Sequence, residues 1–317
     1  MSNRKGFTLL EMSIVLLVIS VLLGGGLLIF DKALNQRQVD ETKMKMDKIK
    51  ETLLHYRLAF NRLPCPADAT VQMDATSNNY YGVEAQNKGV CDGTPAANFS
   101  VASSSVTGDT VNNSAVISSI SSTTSLAVGT LVSGTGIPAG ARIISIDSSS
   151  QITISADATA TGSGVTISYN TVAGGMVPVK ALKLSDDYAI DGWGRRIMYM
   201  VDVNLTTDGA FSHVPVDDSS VNRIKIKDPA LNDKENSAIY LLLSYGENGH
   251  GSYNRSGSSS RFVNYSGDSD ELTNCKCNSS ATATTFTASF VQKPLTDDGF
   301  DDILFYSTRS DLRASYE

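Results

Sequence analysis

The feature that most constrains this chain is a stretch without charge. Residues 12–30 contain no Asp, Glu, Lys or Arg, and Arg4 and Lys5 precede them. As a helix rising about 1.5 Å per residue, such a run spans about 28 Å, close to the thickness of a bilayer core. Basic residues on its N-terminal flank keep that end cytoplasmic, so the chain beyond Phe30 is expected to be exported. A cleaved secretory signal also begins basic and continues apolar, but it ends in a small-residue cleavage site, and no convincing one follows this run. Glu11 stands at the head of the run, where a carboxylate is costly unless a partner neutralises it.

Behind the run the chain becomes polar but stays compatible with helix to about Asn61. Val39, Thr42, Met46, Ile49, Leu53, Tyr56 and Phe60 recur at spacings of three and four, which places them on one helical face. Glu41 with Lys45, and Lys43 with Asp47, are expected as supporting pairs four residues apart. Leu63-Pro64-Cys65-Pro66 stops the helix, because proline cannot continue it. The whole helix is then about 80 Å long.

The segment Lys5-Gly6-Phe7-Thr8-Leu9-Leu10-Glu11, leading into an apolar run, resembles the class III signal of type IV prepilins and type II secretion pseudopilins. The resemblance implies a prepilin peptidase that cuts between Gly6 and Phe7 and N-methylates Phe7. It also implies that Glu11 neutralises the N-terminal amine of a neighbouring subunit during assembly, which fits the need of a buried carboxylate for a cation. Type IVa pilins often carry a proline within this helix; here Gly24-Gly25-Gly26 occupies the region, a place for local melting on assembly or for close helix packing.

Residues 100–170 differ in composition. Ser, Thr, Gly and aliphatic residues dominate, Arg142 is the sole basic residue, and no aromatic occurs between Phe99 and Tyr169. Short β-branched runs at 115–117, 126–132, 142–146, 151–154 and 165–167, separated by turn signals, predict a small β-domain. Its role is either contact with a surface or partner, or none, since loops tolerate insertions at modest entropic cost. Further on, strands are expected at 196–203, 238–245 (central) and 302–307. Asp191-Gly192-Trp193-Gly194 resembles the Asp-Pro-Trp-Gly turn of major pseudopilins, with Gly192 in place of proline. Trp193 is expected as a packing anchor, with Arg195 and Arg196 flanking it or pairing with acids.

These readings give an α+β fold: a long N-terminal helix, half transmembrane and half amphipathic, packed on an antiparallel sheet with an inserted β-rich domain. The divisions are a leader at 1–6, the anchoring and stem helix at 7–62, a head built from 63–99 and 171–317, and the insertion at 100–170. Hydrophobic residues at 41% supply a core, and a net charge of −7 argues against nucleic-acid binding.

The four cysteines, Cys65, Cys91, Cys275 and Cys277, all follow the apolar run and so lie on the oxidising side. Three connectivities are open; Cys65 with Cys91 closes a modest loop and is favoured, whereas a Cys275–Cys277 bridge is expected to be strained. Zinc is the rival use, without a Cys-x-x-Cys or a nearby His in sequence to support it. Major pseudopilins bind calcium in late loops, so the resemblance makes Glu247, Asn248, Asp268, Asp270, Glu271, Asp297, Asp298 and Asp301 candidate oxygen donors, though no EF-hand spacing is present. His55, His213 and His250 are scattered, and no nucleophile, phosphate loop or dinucleotide fingerprint accompanies them, so catalysis is not expected.

Three functions follow. One is a structural subunit of a type II secretion pseudopilus or type IV pilus, working with prepilin peptidase, other pilin-like subunits, an inner-membrane assembly platform and membrane lipid. The second is an adhesin-like minor pilin that uses the insertion. The third is a membrane-anchored periplasmic protein that never assembles.

Overall fold

The computed structural model describes residues 8–73, 80–89, 91, 100–126, 128–213, 224–257, 260–295, 299–308 and 310–314; the side chains of residues 21–31 lie outside the description, as do those of 100–103, 212, 213, 313 and 314. Helix α1 runs from Leu9–Phe60 without interruption, through the three glycines, and ends at Asn61 in the left-handed conformation. The amphipathic face forms as the spacing requires. Thr42, Met46, Ile49 and Leu53 are fully buried, with Val39 and Tyr56 nearly so. Phe60 is the exception: it is half exposed and stacks on Tyr56 at a centroid distance of 4.5 Å. Glu41 and Lys45 pair at 2.8 Å as expected, but Lys43 and Asp47 form no ion pair among the described residues.

The head is a seven-stranded sheet. Its strands are β1 (Ser100–Thr110), β5 (Gly162–Met176), β6 (Met198–Asp202), β7 (Ile224–Lys227), β8 (Asp233–Ser244), β9 (Ser289–Val291) and β10 (Ile303–Thr308). The path is β1-β5-β6-β8-β7-β9, with β10 also on β8. All pairs are antiparallel except β7 with β9, so the sheet is mixed where a purely antiparallel one was expected. Strand β8 is central: it pairs with β6, β7 and β10, and its residues Ala238–Ser244 are buried. Burial on both faces suits the unbroken apolar runs of β6 and β8. Three short helices complete the head, α2 (Ala210–His213), α3 (Ser269–Cys275) and α4 (Asp311–Ala314).

Between β1 and β5 lies a second sheet of β2 (Val116–Ile117), β4 (Gln151–Ile154) and β3 (Ile143–Ser148), in that order. It has its own core, in which Ile117, Ile143, Ile152, Ile154 and Ile167 are buried around Leu126 and Val132. The expected strand at 126–132 is not formed; bridges at Leu131 and Ser133 stand in its place. The insertion is also less separate than its composition implies. Strand β5 pairs with β1 from Gly162 to Gly174 and with β6 from Val172 to Met176, so one strand belongs to both parts.

Two bridges hold the head. Cys65 joins Cys91, with Cα atoms 5.4 Å apart. Beside it Arg62 makes two hydrogen bonds to the Glu84 carboxylate, at 2.8 and 2.7 Å. Cys275 joins Cys277, contrary to the expectation for such close neighbours. Lys276 adopts the left-handed conformation (φ 51°), which folds the chain back and brings the two Cα atoms to 5.2 Å, within the usual range.

Head and stem meet at the Asp191-Gly192 turn. The Gly192 N–H donates to Thr42 Oγ1 at 2.9 Å, and Lys45 donates to the Ile190 carbonyl at 3.0 Å. A Cβ on Gly192 would lie 2.4 Å from the Gln38 carbonyl oxygen and 2.7 Å from its Cα. Both are helix backbone and cannot move aside. The Asp191 carboxylate locks the turn from inside, accepting from Trp193 N, Arg195 N and Ser244 Oγ. Arg195 and Arg196 pair with no acid among the described residues; Arg195 donates to the Gly246 and Glu247 carbonyls, and buried Arg196 donates to the carbonyls of Asn254, Val71 and Arg255. Gly192→Ala should therefore force head and stem apart and cost about 1–3 kcal/mol of stability, measured by urea denaturation.

Candidate functional site

The start of α1 is the first site. Thr8 caps the helix: its Oγ1 accepts from Glu11 N at 3.2 Å, while Glu11 Oε2 accepts from Thr8 N at 2.8 Å and from Thr8 Oγ1 at 2.9 Å. This reciprocal capping box gives Glu11 local partners in the single chain, which the sequence reading did not foresee although Thr8-x-x-Glu11 is its signature. Gly6 and Phe7 lie outside the described residues. Beyond the cap, Leu9, Leu10, Met12, Ile14, Val15, Leu16, Leu17, Val18 and Ile19 are all exposed. Among the described residues no helix is long and apolar enough to cross a membrane; the run expected to do so includes residues 21–30, whose side chains lie outside the description.

The second site is in the late loops. The predicted oxygen donors divide. Asp268 and Asp270 both pair with Lys293, and Asp268 also caps α3, so they are occupied elsewhere. Glu247 accepts from Asn35 of the stem. Asp297 and Asp298 lie outside the described residues. Asn248, Glu271 and Asp301 do converge: Asn248 donates its backbone N–H to Asp301 and its side-chain amide to Glu271 at 2.6 Å. Gly246 makes this possible, since a Cβ there would fall 2.2 Å from the Asp301 carbonyl oxygen.

Asp302 is the addition. Carboxylate oxygens of Glu271, Asp301 and Asp302 all lie within 4.8 Å of one another. Glu271 and Asp302 are 1% and 3% exposed, too buried for water to separate their charges. Their hydrogen-bond donors are neutral: Ser266 Oγ to Glu271 at 2.7 Å and Asn274 Nδ2 to Asp302 at 2.8 Å. No Lys or Arg forms an ion pair with any of the three among the described residues. Burial pushes the Asp301 carboxyl up to about 8 and raises Asp302 well above the ordinary carboxylate range. Three close carboxyls in such a place must hold protons or a cation, and an all-oxygen set suits a hard divalent ion.

His250, Cys275 and Cys277 also converge, within 4.8 Å. Their lone pairs are already used. The sulfurs are bonded to each other, His250 Nδ1 accepts from Asn264 N, and Nε2 lies 2.9 Å from the Asn278 carbonyl and so carries the proton. This cluster is structural.

Residues 1–27 match the family model of the prokaryotic N-terminal methylation motif. The chain thus carries the prepilin signature of type IV pilins and pseudopilins. No curated protein and no solved structure matches it.

The late-loop carboxyls set a pH dependence. Asp301 has a folded-state value above its unfolded one, so the stability it contributes is fully present at low pH and is lost as pH rises toward about 8. In chelator-containing buffer, the stability of the chain relative to Asp301→Asn should fall steadily from about pH 4 to about pH 8. Denaturation midpoints across that range provide the check; a flat difference would show that no proton is held there.

Proposed function

We propose that the chain is a structural subunit of a filament of the type II secretion pseudopilus or type IV pilus kind. Prepilin peptidase cuts it after Gly6 and methylates Phe7. Residues 12–30 hold it in the inner membrane with the head in the periplasm, and the assembly platform then passes it to other pilin-like subunits. The observation that carries this reading is the methylation motif on a helix that outruns the head, its first turns from Leu9 to Ile19 apolar and uncovered. A surface of that kind needs lipid or other subunits around it. In the stored monomer Glu11 is satisfied by Thr8; on assembly it exchanges that cap for the incoming amine. Replacing Gly6 by a larger residue should leave the leader attached, seen by N-terminal mass spectrometry. Glu11→Ala should leave processing intact but abolish incorporation into filaments; normal incorporation would refute the exchange.

The late-loop carboxyls fit calcium. We infer that Glu271, Asp301 and Asp302 hold it and brace α3 against the start of β10. Calcium at one hundred times its dissociation constant should stabilise the head by about 2.7 kcal/mol. Asp302→Asn should remove that gain in thermal unfolding, and an equal gain in both proteins would place the ion elsewhere.

A second reading, the adhesin-like minor pilin, is favoured by one observation. The inserted module has its own core, yet Ile144 and Ile146 of edge strand β3 stand exposed. Because β1 and β5 belong to the head sheet, the deletion that tests it is residues 111–161, joining the paired ends Thr110 and Gly162. Retained assembly with lost surface attachment would support it.

A further inference from the structure

We propose that the Cys275–Cys277 bridge is a redox-sensitive latch on the outer edge of the head sheet: formed, it holds that edge shut, and reduced, it uncovers it. The redox change it answers is the passage of the head to the oxidising side of the membrane, which rests on the anchoring proposed above.

Strand β9 ends the sheet path, with β7 as its one neighbouring strand. The Ala288 carbonyl accepts from Lys225 N, and Gln292 N donates to the Lys227 carbonyl, both toward β7. Backbone groups alternate along a strand, so Ser289 and Val291 turn theirs outward. Such a row of N–H and C=O groups is a template for another strand unless something covers it. Here the end of α3 fills it. Val291 N donates to Asn274 Oδ1 at 2.7 Å, and Asn274 Nδ2 donates to the Val291 carbonyl at 2.9 Å. The Lys276 amine donates to the Ser289 and Thr273 carbonyls and stands 4.0 Å from the centre of the Phe290 ring. One amide and one amine thus stand where a strand would.

Lys276 does not hold this place unaided. It is 5% exposed, and Arg261 lines the same small cavity. Burial pushes its pKa down to about 7, so the charged amine gains by escaping to water. Its backbone is left-handed, a conformation that is costly for a residue with a Cβ and usually falls to glycine at a helix end. The bridge spans this one residue and keeps it in position. That is its main effect, since cysteines two apart close too short a loop to restrain the unfolded chain much, unlike Cys65 and Cys91 at a separation of 26.

Closure is the oxidation of two thiols by a disulfide-bearing thiol oxidant. Cys277 adjoins the exposed turn 278–280 and meets the oxidant first. Its thiolate attacks one oxidant sulfur and the other leaves as a thiolate; the Cys275 thiolate then displaces the first. Both cysteines lose their protons, and the oxidant departs as a dithiol.

The test is hydrogen exchange on the full chain in detergent micelles, comparing wild type with the double variant Cys275→Ser, Cys277→Ser, each with the Cys65–Cys91 bridge confirmed by mass. The Val291 amide should exchange about tenfold faster in the variant, as expected for one lost hydrogen bond, while the β8 amides from Ala238 to Ser244 keep their protection. In a dithiothreitol titration of the wild type, Val291 protection should fall with the Cys275–Cys277 bridge and not with Cys65–Cys91. Equal protection of Val291 in the two redox states would overturn the latch. So would a matching loss of β8 protection, which would make the bridge a support of the whole head. Thiol trapping in cells separates the premise from the latch: finding Cys65 and Cys91 free as well would overturn the exported head and leave the exchange result standing.

Discussion

The burial of one helical stripe against one sheet organises the molecule. Met46, Ile49 and Leu53 of α1 are shut away in one core with the buried residues of β6 and β8. Fully burying an aliphatic side chain is worth about 1.5–3 kcal/mol, so a stripe of this length outweighs any single polar contact at the junction. The polar contacts do something different: they fix register. Thr42 accepting from Gly192, and Lys45 donating to Ile190 beside Glu41 and Asp187, permit one placement of the turn along the helix. The close approach at Gln38 is the steric counterpart of the same lock.

The same helix serves two solvents. Its second half obeys the rule of a globular surface, with one face covered and the other wet. Its first turns, Leu9 to Ile19, carry exposed apolar side chains with no cover from the described part of the head. A helix exposed in this way is not a finished surface, and the methylation motif at residues 1–27 accounts for why the chain carries one. The capping box refines this account. In the single chain Glu11 is not a stranded charge, since it accepts from the Thr8 backbone and hydroxyl.

Much of this was legible in the residues. The stem stripe, the Cys65–Cys91 pair, the central β8 and the final strand could be read because periodicity, spacing and apolar runs are local signals. What escaped was non-local. Strand β1 is rich in serine and looks like loop until β5 is beside it. Strands β7 and β9 are short and parallel, joined only through a long excursion. The Cys275–Cys277 bridge depends on the backbone of Lys276, which no cysteine count reveals. Of the late-loop site, Asn248, Glu271 and Asp301 were in view, but Asp302 looked like a strand edge, and only the folded loops show that it points into the same buried space.

The shared strand β5 has a mechanical meaning. Residues of β1 and β5 pair from Ser100 with Gly174 at one end to Thr110 with Gly162 at the other, and β5 then runs on into its ladder with β6. A tether on a single flexible linker would let the module swing and would deliver any tug to one peptide bond at a time. Here a tug on the module draws Thr110 and Gly162 the same way, so β1 and β5 move together and the shear falls on the ladder between β5 and β6. The module is thus joined to the head by two paired strands rather than by one linker.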